Sequence, residues 1–143
     1  AEDGIRALVR SRGLGDVYKR QYLRNHLDPV ANRLHLVDGE TQVEPGIRVL
    51  PDPGHTWGQQ AVLIDTADGT LCFPGDLVPT VNHLGAAWSC GYDMEPYQSK
   101  LTKTWLFDRA CTEGWLMVLD HEPGPAVHRL VANDKGWYSF ESC

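Results

Sequence analysis

Pro53-Gly54-His55-Thr56-Trp57-Gly58 comes two residues after the apolar run Ile47-Arg48-Val49-Leu50. The run reads as a short strand, and Pro-Gly breaks it and leaves a histidine just past its carboxyl end. The same arrangement recurs twice. Phe73-Pro74-Gly75-Asp76 follows Thr70-Leu71-Cys72, and His121 follows Trp115-Leu116-Met117-Val118-Leu119-Asp120. An imidazole, a carboxylate and an imidazole at the ends of buried strands have the makings of a metal site. Each residue alone has a plainer reading. His55 could simply occupy a turn, Asp76 could cap the next segment, and His121 could be exposed at a strand end. Their spacing and flanking glycines together favour ligation.

Outward from these residues, the pattern is that of a mixed α and β layered domain. Leu23, Leu27 and Val30 have helical spacing, with Asp28-Pro29 as a cap and first-turn proline. Asp38-Gly39 between Leu34–Val37 and Thr41–Val43 predicts a hairpin, although Leu34 also continues the helical spacing. Asp68-Gly69 between Ala61–Ile64 and Leu71–Phe73 predicts a second. Residues 77–94 form a long connection rich in Gly, Pro, His and aromatics, a composition that points to function rather than disorder. Pro96 opens a helix whose predicted apolar stripe is Tyr97, Leu101, Trp105, Leu106 and Ala110, with Gly114 as its stop. Trp115–Leu119 reads as a strand buried on both faces. Val127–Val131 alternates, and Trp137–Phe140 closes the chain.

Residues 1–21 stand apart. Ser11-Arg12-Gly13-Leu14-Gly15-Asp16-Val17-Tyr18-Lys19-Arg20-Gln21 reads as a translated transposase-type sequencing adapter, and Ala1-Glu2-Asp3-Gly4-Ile5-Arg6 as the primer that precedes one. Ala7 departs from the Asp that this primer encodes. The competing reading is a natural basic arm. On the adapter reading, the native part is 22–143 and the segment is set aside from fold reasoning.

The chain of 143 residues has a formal net charge of −6. Residues 1–21 hold five basic against three acidic residues, so 22–143 keeps eight against sixteen, a net −8. Such an acidic domain is poorly suited to a phosphate backbone, and no basic stripe offsets it. No apolar run is long enough to span a membrane. Cys72, Cys90, Cys111 and Cys143 form no C-x-x-C pair. Cys72 and Cys111 fall on apolar patterns and read as buried thiols. A reducing, cytoplasmic compartment is expected.

Pro53-Gly54-His55-Thr56-x-Gly58 resembles the P-G-H-T-x-G motif of the metallo-β-lactamase-fold hydrolases, and Gly75-Asp76 resembles their G-D motif. Gly75-Asp76-Leu77-Val78-Pro79-Thr80-Val81-Asn82-His83, followed by Trp88 and Gly91-Tyr92-Asp93, is similar to a bacterial branch near the N-acyl homoserine lactone lactonases. The resemblance covers Tyr22–Cys143. It implies an α/β fold, the C-terminal half of a metallo-β-lactamase αβ/βα sandwich, with a mixed sheet and flanking helices. It implies that His55 binds a first divalent metal, that Asp76 bridges both, and that His121 binds the second, zinc being the expected ion. The family's H-x-H-x-D-H cluster is absent from the sequence, so the sites are expected to be incomplete. The expected reaction is attack by a metal-bridging hydroxide on a lactone or other ester carbonyl of a small molecule. A glyoxalase II-type thioesterase and a non-catalytic truncated domain are the alternatives. The fragment alone is expected to be inactive and prone to self-association.

Trp57 and Gln59 depart from the commoner proline and histidine, without touching an expected ligand. Gln60 is a candidate to orient a ligating histidine. His83 and Tyr92 either line the substrate pocket, or Trp88 and Tyr92 pack over the core while His83 faces solvent. His26, His35 and His128 have no ligand context. Cys90 reads as a passive thiol, since no positioned base can be named for it.

Overall fold

A computed structural model describes residues 27–143. The adapter-like segment, Leu23 and His26 therefore lie outside the described residues. The chain divides into two compact units, 1–38 and 39–143. In the first unit, Asp28–Arg33 is a 3-10 helix with proline in its first turn as predicted, but Leu27 and not Asp28 is the N-cap, and no side chain caps it.

The second unit is a seven-stranded sheet in sequential order. Its strands are β1 (Thr41–Glu44), β2 (Ile47–Pro51), β3 (Gln60–Thr66), β4 (Gly69–Phe73), β5 (Leu116–Val118), β6 (Val127–Ala132) and β7 (Tyr138–Ser142). Every neighbouring pair is antiparallel except β4–β5, where Leu71 faces Leu116 and Cys72 faces Met117. A parallel pair needs a crossover. Here it contains the helix α1 (Pro96–Glu113), which ends on Gly114 in the left-handed conformation.

The first predicted hairpin is corrected. Leu34–Val37 forms no strand, and Leu34 and Leu36 are exposed. β1 pairs with β2 instead, across Pro45-Gly46, where Gly46 takes φ +75°. Asp38-Gly39 has turn chemistry, but the alternating Leu34 and Leu36 before it stay exposed and no strand pairs there. The second hairpin forms as predicted, β3 to β4.

Alternate residues of the central strands, Leu50, Ala61, Leu63, Cys72 and Met117, fill the core. Trp115, Leu119 and Leu130 join them, and α1 contributes Leu106, Phe107 and Ala110. The Phe107 ring meets Tyr138 and Phe140 edge-on, at centroid distances of 5.3 and 6.5 Å.

The predicted helix stripe is only half right. Leu106 and Ala110 are buried, but Tyr97, Leu101 and Trp105 are exposed. The buried face continues toward the N-terminus through Lys103, Thr102 and Ser99. That end of the helix packs on loop backbone rather than on side chains. Thr102 Oγ1 donates to Pro53 O at 2.7 Å, and Lys103 Nζ to His83 O at 3.0 Å. Small or hydrogen-bonding residues are needed there, so hydropathy alone selects the wrong stripe.

Candidate metal centre

β2, β4 and β5 run in the same direction, because β2 and β4 are each antiparallel to β3 and β5 is parallel to β4. Their carboxyl ends therefore lie at one edge of the sheet, where crevices of α/β sheets collect ligands. His55 follows β2, Asp76 follows β4 and His121 follows β5.

Each loop is held in place by named bonds. Asp52 N donates to Gln59 O at 3.0 Å, closing the base of the His55 loop. Gln59 Nε2 donates to Pro74 O at 2.9 Å, tying that loop to the one that carries Asp76. The unusual glutamine at 59 thus links the two segments. Gly54 lies against the start of α1. A Cβ there would sit 2.4 Å from Ser99 Oγ and 2.5 Å from Ser99 Cα. The strand-end glycine is required by this close approach. Asp76 lies in the 3-10 turn Gly75–Leu77. His121 N donates to Pro79 O at 3.0 Å, and Val81 N to Glu122 Oε2 at 2.9 Å, which joins the β4 and β5 loops.

These restraints bring the three residues together. His55 Nε2 is 3.3 Å from Asp76 Oδ2, and His121 Nε2 is 3.0 Å from Asp76 Oδ1. One carboxylate thus faces two imidazoles, one through each oxygen. Asp120 is also present, its Oδ2 3.6 Å from His121 Nε2. Ligand atoms of Asp76, Asp120 and His121 lie within 4.8 Å of one another. The donor set is imidazole and carboxylate, which suits zinc, iron or manganese. Asp76, Asp120 and His121 offer donors that fit a divalent cation, and His55 adjoins them through Asp76.

Two members of this cluster escape the sequence reading. Asp120 adjoins His121, a proximity that could have flagged it. Asp93 accepts from His55 Nδ1 at 3.0 Å across 38 positions of sequence, and no local pattern signals that. The residue that faces the second nitrogen of His55 is therefore Asp93 and not Gln60, which begins β3.

The long connection carries the other candidates. His83 is partly buried, with Nδ1 2.9 Å from Thr80 Oγ1. Tyr92 and Trp88 are exposed, at 76% and 65%. The alternative in which the aromatics pack over the core and His83 faces solvent is not observed. The histidine is tucked in, and the aromatics are out. Lys103 is buried and donates to the carbonyls of His83 and Trp88, which hold the loop from beneath. Burial lowers its amine pKa, against the attraction of Asp93. Burial, then the Lys103 charge, lowers the His83 pKa. Cys90 does have a nearby base, His83 Nε2 at 3.7 Å from Sγ, contrary to expectation. Burial and the charges of Asp93 and Asp76 nevertheless raise its pKa, which disfavours the thiolate. His128 is buried against Phe140, away from any ligand set. No helix among the described residues is long and apolar enough to cross a membrane. All four cysteines are free.

No family model matches the chain. An N-acyl homoserine lactonase from Bacillus cereus is 37% identical over 54 residues, which are 38% of this chain and 21% of that protein. Among solved structures, a dizinc quorum-quenching lactonase in complex with a homoserine product aligns with a TM-score of 0.73 at 16% identity. That alignment covers 93% of this chain and 47% of the lactonase. A probable metal-dependent hydrolase from Staphylococcus aureus gives 0.65 at 22% identity, over 79% of this chain and 42% of that one. A hydrolase of the beta lactamase superfamily gives 0.66 at 20% identity, over 84% and 42%. The mixed sheet, its parallel β4–β5 step and its crossover helix thus have the metallo-β-lactamase fold, and the chain spans less than half the length of the relatives it matches.

Proposed function

We infer that this chain supplies one half of a binuclear metallohydrolase that opens a lactone or another ester carbonyl. The observation that carries this is the Asp76 carboxylate, with His55 on one oxygen and His121 on the other. His55 and Asp76 would hold one cation, and Asp76 and His121 the other, with zinc as the expected ion. Bound cations supply Lewis acidity toward the carbonyl and an acidified water at neutral pH. The chain's residues contribute geometry. Asp76 would be the ligand shared by both ions, and the bonds of Gln59, Thr102 and Pro79 hold the three candidate ligands relative to one another. Tyr92, being exposed, is the proposed substrate contact, with His83 behind it on the same loop.

The lactone is the preferred substrate because a curated lactonase and a product-bound lactonase are among the similar proteins. A small molecule is the only partner proposed, and four free thiols support a cytoplasmic setting. The side chains of His121 and Asp76 are 64% and 40% exposed. That openness supports a second reading, in which these residues alone form a non-catalytic domain and further ligands complete the sites. Calorimetric zinc titration and a lactone assay of this chain test both. Binding weaker than micromolar with negligible turnover is expected. Submicromolar binding with turnover would defeat the incomplete-site reading. Sequencing the source DNA upstream of the Tyr22 codon is expected to reveal an in-frame H-x-H-x-D-H cluster. Genomic codons for residues 1–21 with no such cluster would remove the enzyme reading.

A further inference from the structure

Asp93 is the last polar residue of the long connection, and its side chain is only 2% exposed. A carboxylate so buried is costly unless it is bonded or paired. Its Oδ1 lies 3.0 Å from His55 Nδ1, within hydrogen-bond distance. Positive charge comes from Lys103, buried beneath the same loop and attracted to Asp93. The backbone fixes this pairing independently. Met94 N donates to His55 O at 3.1 Å, and Glu95 N donates to Gly54 O at 2.9 Å. Residues 93–95 are thus laid along 54–55 by three bonds, just before α1 begins. A neutral imidazole has one N–H and one lone pair. A carboxylate accepts only, so the proton belongs on Nδ1 and the lone pair on Nε2. Nε2 is the atom that faces Asp76, at 3.3 Å.

The geometry points to Asp93 as a positioning residue that sets the tautomer of His55 and aims its Nε2 lone pair at the cation side of Asp76. Its consequence for metal rests on the function proposed above, but the tautomer itself does not. Outer partners of ligating histidines change metal affinity by roughly 10–100-fold.

The test is nitrogen-detected histidine NMR on the full chain, metal-free and then titrated with zinc, for wild type and D93N. In wild type, His55 is expected to carry its proton on Nδ1. D93N is expected to lose that preference, because the amide can donate as well as accept, and to raise the zinc midpoint read at His55 by roughly 10–100-fold. A wild-type Nε2–H tautomer, or a D93N spectrum and midpoint matching wild type, would overturn the assignment. The Nδ1–H tautomer lost in D93N without a zinc response in either protein would uphold Asp93's hold on His55 and overturn the metal reading. Should D93N fail to fold, the wild-type tautomer decides alone.

Discussion

At the residue scale, the loop that presents His55 contains a carboxyl group with an unusual burden. Asp52 is fully buried, and its Oδ1 has no hydrogen-bond partner among the described residues. Burial pushes its pKa up to about 8, only partly opposed by Gln59. Unfolded, the group ionises near pH 4; folded, it keeps its proton until about 8. Between those values the native state binds the extra proton, so stability falls as pH rises and levels off above the folded pKa. D52N removes the ionisation. Urea unfolding should show the stability of D52N gaining on wild type between about pH 5 and pH 8. Parallel pH profiles would contradict a protonated Asp52 in the fold. Gly54 gives a second prediction. The alanine Cβ in G54A would strike Ser99, so α1 or the loop must shift, at a cost of about 1–3 kcal/mol in urea unfolding. A variant as stable as wild type would show that the approach relaxes freely.

At the scale of elements, α1 separates what sequence can say from what it cannot. Its start at Pro96 and its stop at Gly114 are local signals, and both are observed. Its buried face is not local, because Thr102 and Lys103 bind carbonyls of loops 15 to 49 positions away. Two substitutions separate the faces. T102V removes the donor to Pro53 O and should cost about 1–2 kcal/mol. L101S, on the exposed stripe that hydropathy favours, should stay within about 0.5 kcal/mol of wild type. The reverse ranking in denaturant melts would restore the stripe read from sequence. Strands β2 to β6 are legible for a related reason. The turn at Asp68 marks β3 and β4, the alternation of Val127–Val131 marks β6, and apolar runs mark β2 and β5. The Leu34–Val37 segment has the same turn chemistry and an apolar pair, Leu34 and Leu36, but both stay exposed and no strand results.

At the scale of the whole molecule, the histidines and Asp76 are legible because each follows a strand, and strand direction delivers all three to one sheet edge. Asp93 is not, because its pairing with His55 is made through the tertiary fold alone. The sheet of the second unit begins at β1 and finishes at β7, so both of these strands are paired on one side only within the order. Three of the four β1 residues are exposed, as are Tyr97, Leu101 and Trp105 on α1. Unpaired edges and apolar patches favour association. Light scattering should therefore show mass rising with concentration. A cooperative monomer at all concentrations would contradict this.

The most direct test of the central claim follows His55 and His121 by NMR during a zinc titration of wild type and D76A. One carboxylate shared by two cation sites predicts that both imidazoles respond in wild type and that both responses are lost or strongly weakened in D76A. Responses unchanged by D76A, or none in wild type at millimolar zinc, would contradict it.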